Sequence, residues 1–128
     1  MLNVTLATVH VDDQAKALAF YTEVLGLTKR SDVPLGAHRW LTVSGPGADG
    51  AELLLEPDDH PAAKAYAAAL LDDGIPGLSL ACDDVPAEHQ RLVDAGVRFT
   101  QEPVQAGGIW TAVLDDTCGN LVQLNSGI

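Results

Sequence analysis

Apolar residues recur at two different spacings along this chain, and the changes of spacing mark its elements. From Leu2 to Val11 the alternation sets Leu6, Thr8 and His10 on one side and Ala7, Val9 and Val11 on the other, the period of a strand. Asp12-Asp13 then offers an acidic helix start, Leu18, Tyr21, Val24 and Leu25 recur at three- and four-residue steps, and Gly26 suits a left-handed stop. Strands are predicted over 27–33 and 38–44 around a turn at Pro34-Leu35-Gly36, and over 51–56 after a loop at 45–50. This part reads β-α-β-β-β. A helix from His60 to Gly74 follows, with Pro61 in its first turn, alanines in its middle and Gly74 as its stop. A strand over 77–82, a helix over 84–95 behind Asp83-Asp84, and strands over 97–102, 109–114 and 120–125 then repeat the pattern.

A duplication should hold unrelated landmarks at one offset. Asp13 and Asp83, Gly26 and Gly96, Trp40 and Trp110, and Val43 and Val113 are all 70 apart, and Gly50 and Gly119 are 69 apart. The expected organisation is α+β: one domain of two tandem β-α-β-β-β modules, 1–57 and 76–128, joined by a helical linker over 58–75.

Composition narrows the partners more than the fold. Eighteen acidic against seven basic side chains give a net charge of −11, which repels phosphate backbones and anionic lipid, so neither nucleic acid nor membrane is expected as a partner. No apolar run approaches the roughly 20 residues of a membrane span, and a cytoplasmic location is expected. Cys82 and Cys118 lack metal-ligand spacing and read as reduced thiols.

Val11-Asp12-Asp13, the run from Phe20 to Leu27, and the terminal stretch from Asp115 to Leu124 resemble the vicinal oxygen chelate superfamily of glyoxalase I, extradiol dioxygenases, fosfomycin-resistance enzymes and bleomycin-resistance proteins. The resemblance implies modules that curve into a mixed-sheet cup, assembled as a homodimer, with one divalent ion held by His, Glu or Gln from equivalent strands. Carried over position by position, it puts the ligand positions at Leu6, at Gly77 or Leu78, at Leu54 with Glu52 and Glu56 on the same face, and at Gln123. Both histidines of the pattern are missing. With those positions lost, the expectation is a protein of this kind that binds a small organic ligand in a dimer cup, with no metal ligand and no cofactor. The alternative is a metal-dependent lyase or extradiol-type dioxygenase that uses a divalent metal on shifted ligands, His10, one of Glu52 or Glu56, and Gln123.

Read as chemistry, His10 is a base or ligand near neutral pH, or a hydrogen-bonded structural imidazole, and Glu56 is an acid/base candidate or a solvated carboxylate. Four strand residues span about 13 Å, so Glu52 and Glu56 cannot both grip one ion. Thr8, His38, Trp40, Glu52, Trp110 and Gln123 are the candidate ligand-binding residues, with His38-Arg39-Trp40 grouping an imidazole, a cation and an indole. The two tryptophans read equally as core or dimer contacts. His60 and His89 read as surface positions.

Overall fold

The computed structural model describes residues 1–47 and 50–127. The chain divides into two compact units, Met1–Lys64 and Ala65–Ile128. The first carries β1 (Leu6–Val11), α1 (Gln14–Ala19), β2 (Thr28–Leu35), β3 (His38–Ser44) and β4 (Glu52–Pro57). Its four strands lie in the order β1-β4-β3-β2, with β1 parallel to β4 and the other pairs antiparallel. The second unit repeats this with β5 (Leu78–Ala81), α3 (Val85–Asp94), β6 (Phe99–Ala106), β7 (Ile109–Asp115) and β8 (Leu121–Ser126), in the order β5-β8-β7-β6. The helix α2 (Pro61–Asp72) crosses the division, and His60 caps it by accepting from the Ala62 N–H through Nδ1 at 3.0 Å.

In each unit one sheet face packs on a helix. Val9, Val11, Leu41, Val43, Leu53 and Leu55 are buried on the α1 face, and Ala17, Phe20 and Tyr21 are buried opposite them. Gln14 ties this helix to two strands: its Nε2 donates to the carbonyls of Arg39 and Leu55, and its Oε1 accepts from the Arg39 N–H. In the second unit Ala112, Leu114, Val122 and Leu124 form the helix face, with Val85 and Leu92 buried on α3. His89 is not a bare surface residue, because its ring lies edge-on at 4.5 Å from that of Phe99.

The duplication is real, but its offset is not constant. The helix caps are Asp13, which accepts from the Lys16 N–H, and Asp84, which accepts from the Ala87 N–H; they stand 71 apart, not 70. The stops Gly26 and Gly96, both at positive φ, are 70 apart. The difference is absorbed in the first helix, where α1 runs into a π-helical turn over Phe20–Val24 that holds one extra residue. This insertion makes the buried face Ala17, Phe20 and Tyr21 rather than the predicted Leu18, Tyr21, Val24 and Leu25.

A second slip restores the 71 spacing. β6 shifts register between Gln101 and Val104, and Pro103, which has no N–H to give a ladder, sits inside that irregularity on an edge strand. The predicted strand ended at Glu102; it continues to Ala106 because an edge bulge tolerates the proline. Pro34 is likewise inside the edge strand β2, and the tight turn lies one step on, at Gly36-Ala37. Thr42 therefore matches Val113, facing Leu54 and Gln123 respectively.

Candidate functional site

The register collects the polar residues of the first unit on the face opposite α1. Leu6 pairs with Glu52, Thr8 with Leu54 and His10 with Glu56, and in a parallel ladder such partners share a face. Thr42 pairs with Leu54 and, on its other side, with Ser31, so His38, Trp40, Thr42 and Ser44 of β3 join the same surface. Trp40 is 39% exposed there, and Leu6 also 39%.

Hydrogen bonds fix one end of this surface. The buried Thr42 hydroxyl accepts from the Ser31 N–H at 3.1 Å and donates to Glu52 Oε1 at 2.6 Å, so its single proton is committed to the carboxylate. Arg30 donates from Nε to Ser44 Oγ at 2.7 Å and from Nη2 to the carbonyls of Gly45 and Gly47. Together Arg30, Ser44, Gly47, Gly50 and Glu52 line a cavity of about 180 Å³. Arg30 was missed in the sequence because it reaches this surface through the register shift between Lys29 and Ser31, which strand alternation does not reveal.

The expected grouping of His38, Arg39 and Trp40 separates. Arg39 alternates to the α1 face, where its guanidinium forks onto Asp32 at 2.9 and 2.7 Å. That hydrogen bond, with the attraction of Arg39 behind it, holds the Asp32 carboxyl below the usual carboxylate range. The cation is thus already matched. His38 pairs with Asp59. Trp110 falls on the helix side of its sheet, in the alternation of Ala112 and Leu114, because the 71 offset matches it to Arg39 and matches Trp40 to Thr111. The two indoles do not occupy equivalent places.

In the second unit the matching face carries Ser79 opposite Gln123 and Ala81 opposite Asn125. Pro76, Gly77, Leu78, Ser79 and Gln123 line a cavity of about 340 Å³. Asp116 builds the turn that delivers β8: it is fully buried and accepts from the N–H groups of Cys118 and Asn120 through Oδ1, and from Asn120 Nδ2 through Oδ2. Thr117 and Gly119 both take positive φ within this turn.

The same register identifies the places where the resemblance puts a metal. Gly77, whose N–H donates to the Leu121 carbonyl, stands opposite Leu121 as Leu6 stands opposite Glu52, and Gln123 matches Leu54. Leu6 and Leu54 present hydrocarbon, Gly77 presents nothing, and Gln123 alone carries an oxygen. A single neutral amide oxygen does not hold a divalent ion, so these residues do not fit one. Among the described residues no three His, Cys, Asp or Glu side chains converge. Nor is either thiol placed as a nucleophile: Cys118 is buried, and burial, reinforced by the charge of Glu88, pushes the Cys82 thiol up. Because the raised value delays thiolate formation, iodoacetamide should alkylate Cys82 more slowly than free cysteine at pH 8 and catch up only in more alkaline buffer; equal rates at pH 8 would contradict this burial. No described helix is long and apolar enough to cross a membrane.

Comparison with known proteins gives a consistent result. The model of the glyoxalase/bleomycin resistance protein/dioxygenase superfamily matches residues 3–124. The uncharacterized protein YurT of Bacillus subtilis (strain 168) is 46% identical over 124 residues, covering 96% of this chain and 98% of that protein. Among solved structures, UcmS2 is similar at 33% identity and a TM-score of 0.84, over 98% of each chain. TnmS3, an antibiotic binding protein from Streptomyces sp. CB03234, is similar at 32% identity and a TM-score of 0.80, over 100% of this chain and 98% of its own.

Proposed function

The chain belongs to the glyoxalase/bleomycin resistance protein/dioxygenase superfamily, and we propose that within it this protein binds a small organic molecule without the metal of its enzymatic relatives. One observation carries the reading: the positions that match the metal ligands hold Leu6, Leu54, Gly77 and Gln123. Hydrocarbon and a neutral amide suit an organic surface with a few fixed polar groups, the composition of small-molecule sites. The similarity to an antibiotic binding protein supports the same class of ligand. Trp40 is the aromatic anchor, on the same sheet face as Thr8 and the Thr42–Glu52 pair. A homodimer that completes the site belongs to this proposal.

Ligand-induced thermal shifts across a panel of aromatic and antibiotic-like compounds test it. At least one compound should raise the melting temperature, and Trp40→Ala should weaken that compound about tenfold, the loss of an indole contact worth roughly 1–1.5 kcal/mol. A panel with no stabilising compound, or a Trp40→Ala protein that binds as tightly as the parent, would sink the reading.

A second reading draws on His10 and Glu56, which are register partners on adjacent strands and so sit side by side. A base and a carboxylate in that relation suit proton transfer on a bound ligand, or part of a metal site with shifted ligands in a lyase or extradiol-type dioxygenase. His10→Ala with unchanged turnover and unchanged metal content would remove it.

A further inference from the structure

In the second unit a short hydrogen-bond chain gives Gln123 a direction. Asn125, 6% exposed, donates from Nδ2 to Ser79 Oγ at 2.7 Å and to the Leu80 carbonyl at 3.4 Å. A carbonyl oxygen only accepts, so the nitrogen end of the Asn125 amide has to lie on that side. Ser79 Oγ accepts this hydrogen bond from Asn125 and donates its own to Gln123 Oε1 at 2.9 Å. The Gln123 oxygen thus faces Ser79. Its Nε2, with two N–H groups, makes no hydrogen bond among the described residues, and Gln123 lines the cavity of about 340 Å³ with Pro76, Gly77, Leu78 and Ser79.

We propose that Gln123 is a hydrogen-bond donor to the ligand, held in that orientation by Ser79 and Asn125, and that the ligand accordingly presents a carbonyl-type acceptor oxygen to this cavity. The proposal rests on the small-molecule reading above and specifies its chemistry. At the matching place in the first unit, Leu54 offers no polar atom, so the preference belongs to the second unit. A site that offers fixed N–H donors favours an acceptor and gains nothing from a hydrocarbon of the same shape.

The experiment titrates ¹⁵N-labelled full-length protein with 1-indanone and with indane, two probes of similar shape that differ in a carbonyl. Indanone should move the Gln123 side-chain NH₂ resonances downfield and bind about fivefold tighter than indane, the factor for one neutral hydrogen bond of roughly 1 kcal/mol. Ser79→Ala frees the amide to turn, and should reduce the preference below about twofold; Gln123→Glu, an acceptor in the same place, should abolish it. Equal affinities for the two probes, Gln123 resonances that neither probe moves, or an undiminished preference in Ser79→Ala would each overturn the proposal. If Gln123 stays unmoved while panel compounds still raise the melting temperature, the donor role falls and the small-molecule reading stands. If no panel compound binds, that reading falls as well.

Discussion

Asp116→Ala is expected to be the most destabilising single change in the second unit, costing about 3–5 kcal/mol, because it strands several buried donors at once. The carboxylate accepts from two backbone N–H groups and one side-chain amide while being fully buried. The turn also holds Thr117 in the left-handed region, a conformation that costs a threonine energy unless its surroundings impose it. In thermal unfolding the variant should melt roughly 10–20 °C below the parent. Asp116→Asn keeps one acceptor oxygen for the two N–H groups and loses the Asn120 side-chain partner, so a loss of about half is expected. A drop under about 1 kcal/mol in Asp116→Ala would show that the turn is held by something else. The consequence reaches the site, since Gln123 is placed four residues after Gly119 by this turn.

Tyr21→Ala is the largest expected loss in the first unit. Tyr21 is fully buried at the π-helical turn, with the Phe20 ring edge-on at 5.7 Å, and both lie under the sheet whose other face carries Trp40, Thr42 and Leu54. Removing a buried aromatic ring costs about 3–5 kcal/mol in lost transfer energy and residual cavity. Denaturant unfolding should show a lower midpoint with a nearly unchanged slope, and Tyr21→Phe should keep most of the ring's contribution. A midpoint within error of the parent would mean that the π-turn is not a fixed part of the core.

Most of the fold was legible because each element announces itself by period and by its end residues. The β3 strand is predicted at 38–44 and found at His38–Ser44, and the acidic caps and glycine stops work as the sequence suggests. What the sequence hid are single-residue insertions that leave the apolar pattern nearly intact. The π-turn and the β6 irregularity each move the repeat by one residue, and a one-residue slip in a strand exchanges its two faces. The pairs Trp40/Trp110 and Val43/Val113 looked equivalent for that reason, yet lie on opposite faces of their sheets. Arg39 was separated from Trp40 by strand alternation, while Arg30 came to the polar face through a bulge. The Ser79–Gln123–Asn125 chain joins residues more than 40 positions apart and has no local signature.

Elemental analysis of untagged protein, before and after incubation with zinc, nickel, manganese and iron(II), tests the central claim most directly. With Leu6, Leu54 and Gly77 at the matching ligand positions, the account predicts far less than one metal per chain in every case, with thermal stability unchanged by the ions. One tightly held metal per chain, retained through dialysis and lost in Gln123→Ala, would contradict it and place this protein among the metal-dependent members of its superfamily.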